Sequence, residues 1–152
     1  MSWTPTIIAV RKYMYDAIVR QQNALVIPDL DIVETYYPKT KVQEMVKPKI
    51  SLVSMQWSED KLTRSNAREL ELPVQVAIQQ HVNPTDTPTI DLLICLVEQV
   101  NKICAEVCIP DMTWLRTEPL SDPNNTPFSF LELHEQHLFQ ATFTVYYKAA
   151  VC

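Results

Sequence analysis

Glycine is absent from this 152-residue chain. A loop that cradles phosphate needs backbone at positive φ and close to its ligand, which glycine supplies at no steric cost. The P-loop, the dinucleotide fingerprint, the nucleophile elbow and the EF-hand calcium loop are therefore missing, and several large enzyme classes go with them. Basic charge is scarce too: 13 Lys and Arg stand against 18 Asp and Glu, for a formal charge of −5. General affinity for nucleic acid needs basic surface, so that class is disfavoured. No apolar run approaches the ~20 residues that cross a bilayer. The opening "MSWTPTIIAV" lacks a basic n-region and a long apolar core, so no signal peptide is expected.

Cysteine is sparse and oddly placed. Cys95, Cys104 and Cys108 fall on or just after one predicted helix, and Cys152 is far from them. This is neither the paired spacing of a zinc site nor the scatter of a disulfide framework. Free thiols in a reducing compartment are expected, those on the helix mostly on its apolar face.

What is present reads as one α+β domain. Hydrophobic content of 47% with 20% charge is ordinary for a globular protein, and the length is enough to bury a real core. In "RELELPVQVAIQQHV" (Arg68 to Val82), Leu70, Leu72, Val74, Val76, Ile78 and Val82 occupy every second position but one. That is the period of a half-buried strand, broken only at Gln80. "KISLVSMQW" (Lys49 to Trp57) is apolar on both sides and predicts a central strand, antiparallel to the first. A short strand is expected over 29–37.

Two helices are predicted. Residues 5–23 place Ile7, Val10, Met14, Ala17 and Ile18 on one stripe, with Arg11, Lys12, Asp16 and Arg20 facing away and Thr4 as N-cap. In "NPTDTPTIDLLICLVEQVNKICAEV", Ile90, Leu93, Leu96, Val97, Val100, Ile103 and Val107 repeat at three and four, with Thr87 as cap and Pro88 in the first turn. After it, a Pro-rich connection over 110–127 holds a short strand at Met112 to Thr117. The chain closes with a hairpin: strand 128–134, a turn near Glu135 and Gln136, and strand 137–148 carrying Phe139, Ala141, Phe143, Val145 and Tyr147 on one face. The expected fold is an antiparallel-rich mixed sheet of four to five strands with two main helices packed on one face.

No catalytic constellation emerges. "ELHEQH" groups Glu132, His134, Glu135 and His137, but two histidines straddling a turn are an incomplete metal site. A helix-face cysteine with His81 or His134 as base is disfavoured, because a buried thiol stays protonated. Asp29 and Asp31 alternate along a strand and read as a solvated face. The expectation is no enzyme, no metal and no cofactor.

The stretch Ser58 to Glu69 is more informative. Glu59, Asp60, Lys61, Arg64, Arg68 and Glu69 mix both signs in a twelve-residue excursion. It reads either as a plain surface loop or as an arm that pairs with a neighbouring subunit, where arginine forks onto carboxylates set register. Lys39, Lys41 and Lys47, in the loop 38–48, form a second candidate patch.

The run of elements resembles the tail-terminator, or tail-completion, proteins of long-tailed bacteriophages. "KISLVSMQW", the charged loop with its "LTR", "ELPVQVAIQQHV", the helix "TIDLLICLVEQVNKI" and the closing "HLFQATFTVYYK" carry the likeness over residues 5 to 148. The chain departs from that pattern in lacking glycine and in its long Pro-rich connection. The resemblance implies a virion protein assembled in the host cytoplasm. It would form a homo-oligomeric ring, a hexamer, on the head-proximal end of the tail tube. The ring would stop tube polymerisation and dock to the head connector, and to sheath protein where the tail contracts. DNA would pass through it without specific binding, and no membrane is involved. Two other readings stay open: another neck subunit joining head to tail, or a small soluble ligand-binding or metabolic domain.

Overall fold

The computed structural model describes residues 6–36, 47–54, 58–59, 68–110, 112–119, 133, 135 and 137–151. Helix α1 (Thr6–Arg20) follows from its apolar spacing, and Val10, Met14, Ala17 and Ile18 are all buried. Lys12, Asp16 and Arg20 face solvent as the pattern requires. Arg11 does not: it is only 7% exposed, turned towards a sheet edge. A long stem lets an arginine cover apolar surface while its head finds partners, so helical spacing alone misplaces it. Thr4, the expected cap, lies outside the described residues.

Helix α2 (Thr87–Glu106) buries Ile90, Leu93, Leu96, Val97, Val100, Ile103 and Cys104, while Val107, just past its end, is half-buried. Its cap is Asp86, one residue before the expected Thr87. Asp86 Oδ1 accepts from the Thr89 backbone N–H at 3.4 Å and Oδ2 from the Thr89 hydroxyl at 2.7 Å. A carboxylate outcompetes a hydroxyl here because it accepts both bonds and carries charge towards the helix N-terminus.

Among the described residues six strands form one sheet: β1 (Asp31–Glu34), β2 (Lys49–Ser54), β3 (Ser58–Glu59), β4 (Arg68–His81), β5 (Met112–Pro119) and β6 (Leu138–Val151). Their order is β1-β2-β4-β6-β5, with β3 paired to β4. Only β1 and β2 run parallel, so the sheet is mixed and antiparallel-rich, with one strand more than expected. The extra strand is β3, cut from the excursion that reads as loop: Ser58 pairs with Glu71 and Glu59 with Leu70.

The alternation of β4 sets the core. Leu72, Val74, Val76 and Ile78 lie opposite Tyr147, Val145, Phe143 and Ala141 of β6, and Ile50 and Leu52 of β2 complete the same face. All are buried in one cluster with both helices. Burying each large apolar side chain contributes about 1.5–3 kcal/mol, and this face has many. The opposite face is small and polar at its centre, with Ser51, Ala77, Gln79 and Thr144 buried there.

The closing hairpin is not formed as expected. Leu133 and Glu135 are helical, Leu133 is buried, and 128–132 lie outside the described residues. β5 pairs with β6 only over Phe143 to Ala149 and so does not fill the stretch 138–142 that the hairpin would use. The departure is local, a helical backbone at Leu133 and Glu135 with Leu133 packed into the core.

Candidate functional site

The charged stretch proposed as an arm divides between paired and undescribed residues. Glu59 sits on β3, while Arg68 and Glu69 open β4, in register with Val151 and Ala150 of β6. These three are therefore strand residues at one end of the sheet. Asp60, Lys61 and Arg64 lie outside the described residues, as do Lys39 and Lys41 of the second patch.

Lys47 is described, and its partners are the aspartates that read as a bare solvated face. Its Nζ lies 3.4 Å from Asp31 Oδ1 and 3.8 Å from Asp29 Oδ1. All three side chains are largely exposed, so the pairing contributes little stability and mainly shapes the charge of the β1 edge. Beside it stands a group that helical spacing conceals. Arg11 Nε is 3.4 Å from Glu34 Oε1, and its guanidinium lies 5.0 Å from the centroid of the Tyr36 ring. Nε and Nη1 are buried and make no hydrogen bond, so charge and ring face are what hold this cation. Only the oddity of "TYYP" just after an acidic strand hints at it in the sequence.

The other outer strand is β5. Between it and α2 runs a groove of about 390 Å³ lined by Glu98, Asn101, Lys102, Ala105, Trp114 and Thr117. Trp114 is 41% exposed, and its indole N–H donates to Thr117 Oγ1 at 3.2 Å, which fixes the ring. The end of α2 is set against the sheet by Tyr147. Its hydroxyl donates to the Cys104 carbonyl, with the Val107 carbonyl 3.4 Å away.

The described cysteines divide. Cys104 is buried, but Cys95 and Cys108 are exposed, which corrects the expectation that helix cysteines lie on the apolar face. All three are free thiols. Burial pushes the Cys104 thiol from its ordinary 9.0 up to about 12. In the native chain at pH 8, a chromogenic disulfide reagent is expected to label Cys95 and Cys108 promptly and Cys104 only after denaturation. Peptide mapping reads this out, and fast labelling of Cys104 would mean that the end of α2 opens.

The histidines give a pair. His81 and His137 stack with ring centroids 6.3 Å apart at 28°, at the end where the Val82 N–H donates to the His137 carbonyl at 2.8 Å. His137 takes a φ of 53°, the left-handed region, to make this turn. His134 and Glu132 lie outside the described residues. Among the described residues no three His, Cys, Asp or Glu come together as a metal would require.

No protein-family model and no curated protein matches this chain. Among solved structures, it is similar to the PVC sheath/tube terminator of an extracellular contractile injection system, in its extended state. The TM-score is 0.50 at 15% identity, over 99% of this chain and 58% of that one. The present chain thus spans less than two thirds of the terminator's length. The likeness lies in the fold, which is terminator-like through the whole run of elements.

Proposed function

We propose that this chain is a tail terminator. Copies of it form a ring on the head-proximal end of a tail tube, stop the tube from polymerising further and present a docking face to the head connector. The observation that carries this reading is the terminator-like fold, which extends over 99% of the chain and is not confined to one motif. The role is structural: the surfaces that matter are edges and arms, and the work is assembly. A subunit of a cyclic ring offers two different surfaces to its neighbours, and this sheet has two dissimilar outer strands, β1 and β5.

The partners follow from the role. They are further copies of the chain, six in a ring as in the phage proteins it resembles, the tube protein, the head connector and, where the tail contracts, the sheath. Six copies of a chain of charge −5 carry roughly −30, which suits a channel that passes DNA without holding it. The assembled protein belongs to the virion of a tailed bacteriophage, built in the host cytoplasm.

The test is tail length by electron microscopy in a lysate of the parent phage with this gene disabled. Overlong, headless tubes are the expected result. Tails of normal length beside full heads would move the chain to a joining role, and normal infectious particles would overturn both.

A further inference from the structure

We infer that the groove between α2 and β5 receives the β1 edge of a second copy, with Tyr36 of that copy seated beside Trp114. The inference rests on the ring reading and names the contact that would close it. Tyr36 is the most exposed of the described large apolar residues, at 56%, and it stands at the end of β1. Trp114 lies on the strand at the opposite end of the sheet order. Each edge therefore offers one aromatic ring to solvent, and tyrosine and tryptophan are the residues that anchor interfaces.

Both rings are already held in place. The Arg11 guanidinium backs one face of Tyr36 at 5.0 Å, and the Thr117 hydroxyl holds the Trp114 indole at 3.2 Å. Ordering them in a complex costs little, which is the condition for an anchor to contribute its full contact area. The cavity beside Trp114, about 390 Å³, is lined by Ala105 and Trp114 together with the polar Glu98, Asn101, Lys102 and Thr117.

Strand direction fits as well. β1 runs with β2, β2 against β4, β4 against β6, and β6 against β5. β1 and β5 therefore run in opposite senses within one copy. A neighbour related by rotation about an axis along the strands keeps that sense, so its β1 meets β5 antiparallel, the better-bonded arrangement. The contact is head-to-tail, with different surfaces on the two sides, as a ring requires.

Charge agrees with the docking. Asp29, Asp31 and Glu34 line the β1 edge, interleaved with Lys47 against the two aspartates, Arg11 against Glu34 and Lys49 in register with Asp31 on β2. The groove presents Lys102 to the carboxylates and Glu98 to Lys47, one helical turn apart on α2. Pairs of this kind set register and suppress wrong docking more than they add affinity.

Two surface variants test it, Tyr36→Ser and Trp114→Arg, each first shown by circular dichroism to fold. Sedimentation equilibrium on the full chain is expected to show wild-type oligomers, and each variant alone is expected to weaken association by roughly tenfold or more. The mixture is the decisive sample. Tyr36→Ser keeps an intact groove and Trp114→Arg keeps an intact β1 edge, so together they make one good interface and stop at dimers. Either variant assembling like wild type, or a mixture that stays monomeric, overturns the inference while leaving the ring reading intact. A wild-type chain monomeric up to about 1 mM overturns it too, and the ring then stands or falls on tail length.

Discussion

Tyr147→Ala is expected to lower the free energy of unfolding by about 3–5 kcal/mol, the range for truncating a buried aromatic. Tyr147 is 1% exposed and lies in a cross-strand row between Leu72 on β4 and Trp114 on β5. Removing the ring opens the core where three strands and α2 meet. Tyr147→Phe separates the hydroxyl from the ring. The last four carbonyls of a helix have no partner within it, and Tyr147 supplies one to Cys104. Losing that bond in a buried site costs about 1–3 kcal/mol. Urea midpoints at constant m-value measure both. A Phe variant as stable as wild type would mean that water relieves the carbonyl equally well.

The same corner makes stability fall in alkali. Burial raises Cys104 from 9.0 to about 12, and raises Tyr147 above its ordinary 10.0, with both thiols nearby adding to the shift. For such groups the unfolded chain loses its proton first. Their contribution is full below pH 9 and is lost progressively as pH rises towards 12. Cys104→Ala removes the thiol's share of that alkaline loss, at the cost of a small cavity.

Much of this corner is legible in the sequence, because periodicity reports what each residue does within its own element. The alternation through Leu72 to Ile78 and through Phe139 to Tyr147 marks the core face, and the three-four spacing of α2 marks its buried stripe. Periodicity is silent on which elements meet. Nothing local says that β1 joins β2 in parallel, or that Leu133, in the stretch expected as a strand, is helical and packed into the core. Capping errs by one residue for a related reason: Thr87 and Asp86 are both good caps, and only the Thr89 contacts choose between them.

The candidate site was legible in kind more than in place. Lys47 belongs to an expected basic patch, yet it is spent on Asp29 and Asp31, residues expected to be bare. Glu59 is drawn from the expected loop into β3, while Arg68 and Glu69, where the expected loop and the expected strand overlap, open β4. Trp114 and Tyr36 carry no period that marks them as exposed. Their exposure becomes visible only once the sheet order sends them to opposite edges.

Arg11 is the residue whose environment sequence reading gets most wrong, and the second large effect is expected there. Glu34→Ala is predicted to destabilise the fold by about 3 kcal/mol, the low end for leaving a buried charge without its partner. The low end applies because the Glu34 side chain is 26% exposed and water shares the burden. Removing the cation as well reverses the logic. Arg11→Met keeps the length of the apolar stem against α1 and the sheet edge, and it asks for no counter-charge. Arg11→Met combined with Glu34→Ala is therefore expected to recover most of the loss, because replacing a buried pair with packed apolar groups is often neutral. The urea midpoints of the four chains form a cycle, and a strong coupling between the two sites is the expected result. If Glu34→Ala costs less than about 0.5 kcal/mol, as at an ordinary exposed site, the Tyr36 ring alone holds the guanidinium. That ring is also the proposed anchor at the subunit edge. Arg11→Met removes the cation behind it, so this variant is expected to weaken self-association while the fold remains, a separation that an effect on stability alone cannot produce.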